Sequence, residues 1–353
     1  MSALIRVLVV DDSAFIRKVV TQMLSRSPHI EVVGTARDGE EALEMVERHR
    51  PDVVTLDLVM PGMNGVEFLR RQMARRPLPV VVCSIAHESG EMAMEAFDAG
   101  AVEFVQKSTA LATDRVHEIA DELVAKVKAA ASVSISQVPA AAPARAGATV
   151  ASGSGDGVVT HGATRADVVV LGISTGGPQA LRHVIPRLPA DFPVPIAMVL
   201  HMPIGYTAMY AERLNEISPL EVVEARHGDL LRPGVVLLAP AGRHLTLVRQ
   251  ADGSVRAHLD VRPIDTQHRP SVDVLFRSAA ETYGGRVLGV VMTGMGNDGV
   301  LGAAHVKAQG GRIITEAESS CVVYGMPRAV VEAALSDVSA PLDEMADVIT
   351  ELV

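Results

Sequence analysis

Residues 167–181 read DVVVLGISTGGPQAL. An apolar run rich in β-branched valine leads straight into a serine, Ser174, on a sharp turn lined by Gly172, Gly176 and Gly177. The run has the length and composition of a buried strand. The glycines that follow suit two chemistries. Their backbone N–H groups can cradle a phosphate, or their missing side chains can give a nucleophilic serine clearance. Outward from this stretch, short β-branched runs alternate with amphipathic helical patterns on both sides. That alternation predicts parallel α/β architecture throughout.

The chain has 353 residues, more than one ordinary domain, which predicts two. Residues 129–164, AAASVSISQVPAAAPARAGATVASGSGDGVVTHGAT, break the pattern. Ala, Ser, Gly and Pro with almost no charge cannot offset their ordering entropy, so a flexible linker is predicted there. It separates a domain over residues 1–128 from one over 165–353. Apolar residues make up 48% of the chain and charged ones 21%, as in globular proteins with sizeable cores. Aromatics are 3% with no Trp, so those cores are built from Val, Leu, Ile, Ala and Met. The net charge of −10 argues against a nucleic-acid partner and is read as a solubility feature. Cys83 and Cys321 lie far apart in apolar, strand-like runs, which fits reduced thiols. The N-terminus MSALIRVLVVDDS carries acidic residues where a signal peptide needs small ones. No apolar run approaches the roughly 20 residues of a membrane helix. A cytoplasmic protein that does not enter the membrane is expected.

In the first domain the predicted strands are RVLVVDD, EVVGTA, VVTLD, PVVVCS and EFVQK. The helix AFIRKVVTQMLSR places Phe15, Val19 and Met23 on one face, and Val116, Ala120, Leu123 and Val127 form the stripe of the closing helix. Strands and helices together predict a small, five-stranded doubly wound sheet, which binds ligands at its carboxyl edge. That edge carries Asp11 and Asp12, Asp57, Ser84 and Lys107. Converging carboxylates repel one another and call for a hard divalent ion, Mg²⁺ above all. With Lys107 and the Ser84 hydroxyl nearby, the set suits phosphoryl transfer onto the Asp57 carboxylate.

Here the chain resembles the receiver domain of two-component response regulators, on VLVVDDS, DLVMPGMNG after β-strand three, Ser84, and Phe104 with Lys107 in EFVQK. The resemblance implies that Asp57 is the phospho-acceptor. It also implies that Asp11, Asp12, Asp57 and the Val59 carbonyl hold Mg²⁺, and that Ser84 and Phe104 are a switch pair. One departure is Lys107-Ser108, where receivers usually carry Lys-Pro with a cis bond. Without proline a cis bond is several kcal/mol less accessible.

The same edge-reading serves the second domain, predicted as α/β with a mostly parallel sheet. DVVVLG ends at Ser174, PIAMVL at His201, and RVLGVVMTG leads to Asp298 in MGNDG. Nucleophile, base and orienting carboxylate thus leave one side of one sheet. GISTG matches the G-x-S-x-G elbow of α/β-hydrolases, but there the histidine comes last, whereas His201 precedes Asp298. No Lys follows as in a phosphate-binding P-loop. The glycines are therefore read as clearance for Ser174.

This half resembles the catalytic domain of the chemotaxis protein-glutamate methylesterases, which are also glutamine deamidases. The resemblance rests on GISTGGP, HMPIGYT, LAPAGRHL, HRPSVDVLFRSAA, VVMTGMGNDG and VVYGMPRAV. It implies a triad of Ser174, His201 and Asp298, with the Met295 N–H in an oxyanion site and Thr175 close by. It also implies chemoreceptor substrates. With a receiver in front, the chemotaxis histidine kinase is the expected phosphodonor, and because no metal-ligand cluster shows in the hydrolase half of the sequence, no cofactor is expected there. The domain order predicts that the receiver covers the hydrolytic edge until Asp57 is phosphorylated. A monomer is expected. An esterase of the same fold acting on another protein, and a second half that only binds partners, are the rival expectations.

Overall fold

The computed structural model describes residues 4–84, 90–107, 116–132 and 165–353. Residues 133–164 of the expected linker, and Ser108, lie outside the described residues.

The first domain alternates strand and helix without exception. Its strands are β1 (Ile5–Val10), β2 (Ile30–Ala36), β3 (Val53–Leu56), β4 (Val80–Ser84) and β5 (Glu103–Gln106). Its helices are α1 (Ala14–Leu24), α2 (Gly39–His49), α3 (Gly65–Arg75), α4 (Gly90–Asp98) and α5 (Val116–Ala131). All strands run parallel in the order β2-β1-β3-β4-β5. Valine-rich β3 and β4 are buried along their whole length, as a sheet covered on both faces requires. Helix starts are fixed locally: Asp38 accepts from the Glu41 N–H, and Asn64 from the Glu67 N–H.

One detail differs from the sequence reading. Of the predicted face of α1, Met23 is buried and Val19 packs half-buried against the core, but Phe15, in the first turn, is exposed; Val20 and Leu24 are buried as well. Helix α5 ends at Ala131, where the predicted closing helix DRVHEIADELVAKVKAAA ends, so residues 129–131 at the start of the expected linker are helical; Val127, Ala129 and Ala130 are buried there.

The second domain is built on seven parallel strands in the order β14-β13-β12-β6-β7-β9-β8. They are β6 (Val168–Ile173), β7 (Ile196–Leu200), β8 (Glu221–Glu224), β9 (Val235–Leu238), β12 (Val287–Val291), β13 (Arg312–Glu316) and β14 (Val338–Ala340). An antiparallel hairpin, β10 (His244–Arg249) with β11 (Val255–Asp260), stands apart. It packs Leu245, Leu247 and Ala257 against Leu275, Phe276 and Ala279 of α8 (Val272–Tyr283). The remaining helices are α6 (Gly177–Val184), α7 (Thr207–Ile217), α9 (Val300–Ala308), α10 (Met326–Glu332) and α11 (Met345–Glu351). Strand β6 lies between β12 and β7, so chain direction across the sheet reverses beside it. Such a switch point opens a crevice at the carboxyl edge. Cys83 sits in β4 and is buried; Cys321, also buried and free, follows β13 in a turn rather than a strand.

Candidate active site and its receiver

At the carboxyl edge of the first sheet, Asp11, Asp12 and Asp57 bring carboxylate oxygens within 4.8 Å of one another. Lys107 reaches between them. Its Nζ donates to Asp11 Oδ2 and, at 2.5 Å, to Asp57 Oδ2. Burial pushes the Asp11 carboxyl up despite the Lys107 ammonium beside it. The Lys107 ammonium is held above its ordinary range; burial opposes this, and the charges of Asp57 and Asp11 outweigh it. A cluster of hard oxygen donors, one of them short of compensating charge, fits a divalent cation. Asp57 Oδ1 accepts from the Leu58 N–H at 2.7 Å, which fixes the carboxylate's orientation. Gly65 explains the glycine of MNG: a Cβ there would lie 2.2 Å from the Asp57 carbonyl oxygen. Ser84 and Phe104 are both buried near this edge.

At the second sheet's edge, Ile173 of β6 pairs with Leu200 of β7, and the His201 N–H donates to the Ile173 carbonyl at 3.1 Å. Ser174 and His201 therefore leave adjacent strands at the same level. His201 Nε2 meets Asp298 Oδ2 at 2.9 Å, while His201 Nδ1 is buried with no hydrogen-bond partner among the described residues. The ring thus carries its proton on Nε2 and keeps Nδ1 as the basic nitrogen.

Asp298 is unusually well held. Its carboxylate accepts from Ser271 Oγ at 2.9 Å and from the Val272 and Asp273 N–H groups at 2.8 and 3.0 Å. Those N–H groups open α8, so Asp298 caps a helix distant in sequence. Asp273 returns the arrangement, accepting from the Gly299 and Gly302 N–H groups at the start of α9. Burial tends to raise the Asp298 carboxyl, but His201 and these donors outweigh it and hold it down at about 2.

Sequence reasoning missed His268, whose ring stacks on His201 with centroids 4.1 Å apart. Burial, then the neighbouring His201, lowers His268 to about 4, so it is neutral at pH 7. It lay inside HRPSVDV, but no spacing rule tied it to His201. His244 was missed too; its Nδ1 accepts from the Ser271 N–H at 3.2 Å, one step behind Asp298.

Of the expected oxyanion residues, Met295 has an N–H without an acceptor among the described residues. Thr175 is engaged otherwise: its hydroxyl donates to Glu103 Oε2 of the first domain at 2.7 Å. This contact belongs to an extensive junction. Gln179 Nε2 donates to the Ala101 carbonyl at 3.0 Å, and Arg182 pairs with Asp98. Phe104 lies against Tyr206 with ring centroids 4.8 Å apart. Val102 and Ala129 pack with Val322 and Val323, Met295 beside them. Glu103 is itself held by Lys126 of α5 at 3.3 Å. The receiver-like domain therefore lies on the loops that carry Ser174 and Met295.

A doubly wound domain with an acidic, lysine-spanned edge, joined to a parallel α/β domain with a histidine–aspartate pair beside a glycine-lined serine, defines a response regulator with an enzymatic output domain. Residues 7–119 match the response regulator receiver domain family, and residues 169–349 match the family described as CheB methylesterase. The chain is 53% identical to protein-glutamate methylesterase/protein-glutamine glutaminase 5 of Myxococcus xanthus, over 97% of this chain and 96% of that protein. It is 47% identical to the protein of that name in Symbiobacterium thermophilum, over 99% of this chain and 97% of the relative. The crystal structure of the Thermotoga maritima CheB methylesterase catalytic domain matches 54% of this chain and all of that one, with TM-score 0.52 and 43% identity. The chain belongs to the protein-glutamate methylesterase/protein-glutamine glutaminase family. No helix among the described residues is long and apolar enough to cross a membrane.

Proposed function

We propose that the protein is a phosphorylation-activated adaptation enzyme of chemotaxis, working at the cytoplasmic side of its receptors. It hydrolyses γ-glutamyl methyl esters on methyl-accepting chemoreceptors and deamidates receptor glutamines. The observation that carries this reading is the His201–Asp298 pair, whose second ring nitrogen is buried and unpartnered one strand from Ser174. His201 Nδ1 takes the Ser174 proton as Oγ attacks the ester carbonyl, and Asp298 stabilises the ring through Nε2–H. His201 then returns the proton to the departing methanol, or to ammonia when the substrate is a glutamine. Water cleaves the resulting acyl-serine by the same proton path. The Met295 N–H, which has no acceptor among the described residues, meets the developing oxyanion, where one donor is typically worth ~10²–10³ in rate. Hydrogen bonds between base and nucleophile are commonly open before substrate arrives, which accords with an unpartnered Nδ1.

In the receiver half, Asp57 accepts the phosphoryl group from the chemotaxis histidine kinase. Asp11, Asp12, Asp57 and the Val59 carbonyl would hold Mg²⁺, which supplies charge neutralisation to the transferring phosphoryl group when bound. Lys107 orients the Asp57 carboxylate, and Ser84 and Phe104 report its state. Phe104 touches Tyr206, and neighbouring Glu103 holds Thr175, so repacking this strand end frees the hydrolytic edge.

Methanol release from methylated receptor membranes tests the reading, with and without acetyl phosphate. Ser174→Ala is expected to abolish release, and Asp57→Ala to keep the basal rate but lose stimulation. Full activity in Ser174→Ala, or stimulation persisting in Asp57→Ala, would overturn the corresponding half.

A further inference from the structure

Glu316 ends β13 and is fully buried, yet it touches neither Ser174 nor His201. A carboxyl in an apolar interior is costly unless its hydrogen bonds are needed. Here both oxygens are used. Oε2 accepts from the Thr293 N–H at 2.9 Å, and Oε1 from Ser320 Oγ at 3.0 Å. Ser320 Oγ in turn accepts from the Leu342 N–H at 2.9 Å.

Thr293 is where the hydrolytic loops meet. Its carbonyl accepts the Ser174 N–H at 2.9 Å. Its hydroxyl donates to the Thr175 carbonyl and accepts from the Val323 N–H, each at 2.9 Å. The next residue, Gly294, accepts from the Gly325 and Met326 N–H groups at 3.1 and 2.8 Å. A Cβ on Gly294 would lie 2.8 Å from the Ser174 Cβ, so this peptide runs directly against the serine. Its one side-chain acceptor for the Thr293 N–H is Glu316.

We propose that Glu316 is a positioning residue for hydrolysis, pinning the Thr293 peptide and through it the Ser174 turn and the Met295 oxyanion loop. The inference rests on the reading of Ser174 as nucleophile. Without the carboxyl, the Thr293 N–H is a buried orphan donor, and the peptide shifts toward a new acceptor. Displacing a reacting group by about 1 Å typically costs ~10²-fold in rate. Substrate contacts at the mouth of the crevice are untouched, so the loss falls on kcat.

The test compares full-length wild type with Glu316→Ala, Glu316→Gln and Ser174→Ala, measuring methanol release from methylated receptor membranes with acetyl phosphate present. Rates are normalised to folded protein from thermal melts. Glu316→Ala is expected to lower kcat about 10- to 100-fold with KM within about twofold. Glu316→Gln keeps an acceptor for the Thr293 N–H and is expected within about threefold of wild type. A merely structural role would move the melting temperature and leave kcat per folded molecule alone. Folded Glu316→Ala with wild-type kcat overturns the proposal, as does folded Glu316→Gln that is as slow as Glu316→Ala. Should Glu316→Ala fail to fold, Ser320→Ala decides. Loss of the Oε1 tether should lower kcat about three- to tenfold, and an unchanged kcat counts against the proposal. Activity persisting in Ser174→Ala would instead sink the nucleophile reading itself.

Discussion

Asp298 and Glu316 are both buried carboxyls at the carboxyl edge of the second sheet, and their pKa values shift in opposite directions. Asp298 is held at about 2 by His201 and the α8 N–H groups despite its burial, below an ordinary value of 3.8. It therefore contributes stability above pH ~4, which is lost as pH falls through about 2. Burial pushes Glu316 up to about 7 from 4.5, and its hydrogen bonds from the Thr293 N–H and Ser320 offset this only in part. Its contribution is complete below pH ~4.5 and is lost as pH rises through about 7. Each unit is worth about 1.4 kcal/mol, so ionised Glu316 costs the fold about 3 kcal/mol at pH 8. Glu316→Gln removes that cost. Its stability relative to wild type, from urea unfolding, should rise between pH 5 and 8 and level off beyond. A difference constant across that range would show that Glu316 does not ionise there. The neighbouring Cys321 thiol is raised by burial and by Glu316, and contributes no charge in this window. The sequence placed Ser174 and His201 on one edge because each directly follows a strand, β6 and β7; Asp298 lies in the loop between β12 and α9 and was singled out from MGNDG, and the structure pairs it with His201. Glu316 also ends a strand but sits in RIITEA with no motif around it. Its partner is a backbone N–H, which sequence does not display.

At the scale of elements, the glycines of GISTGGP answer to three different neighbours. A Cβ on Gly172 would meet Val272 of α8 at 2.3 Å, and one on Gly177 would meet Leu200 of β7 at 2.7 Å. Gly176 has φ +78 and its Cβ would lie 2.5 Å from Val322. The turn after β6 is thus squeezed between sheet, helix and the loop that faces the receiver. None of these close approaches involves Ser174, so they are distinct from the clearance expected from the sequence. The close approach of α8 and of Val322 became visible only with the tertiary packing. Gly176→Ala should both strain the left-handed turn and push Val322 outward, a loss of about 2–4 kcal/mol from backbone and overpacking together. The thermal midpoint should fall and methanol release with it. A folded Gly176→Ala with wild-type midpoint would mean that the Val322 loop yields freely. The alternation of the first domain was legible, because buried parallel strands announce themselves as valine runs; in the second domain β8 to β11 follow one another without a helix, and the antiparallel β10–β11 pair departs from the expected alternation. The face of α1 was legible at Val19 and Met23, but not that Phe15, in the helix's first turn, is exposed.

For the whole molecule, the proposed control rests on the junction between domains, which lies on the loops that carry Ser174 and Met295. One buried cluster runs from Leu56, Phe97 and Phe104 of the receiver to Ala180, Tyr206 and Tyr210 beyond it, so the two cores are continuous. Most polar links across the junction are of modest worth; the Arg182–Asp98 pair is partly exposed and adds little. The exception is Glu103. Its carboxylate is buried, holds the Thr175 hydroxyl at 2.7 Å, and is neutralised by Lys126. A buried hydrogen bond to a charged group is worth about 1.5–3 kcal/mol. Glu103→Ala removes that bond while Lys126 keeps Glu122 and the Phe104 carbonyl, so the receiver retains its own support. The closed arrangement should weaken by that amount, and the open fraction of unphosphorylated protein should rise about 10- to 100-fold until it saturates. Methanol release without acetyl phosphate should climb accordingly, and the ratio of stimulated to basal rate should shrink. The Asp57→Ala, Glu103→Ala double variant should keep the raised basal rate, since opening no longer needs the phosphoryl group. An unphosphorylated Glu103→Ala protein as slow as wild type, with an unchanged thermal midpoint, would show that this contact does not hold the domains closed. The apolar packing of Val102 and Ala129 on Val322 and Val323 would then be the seal to break.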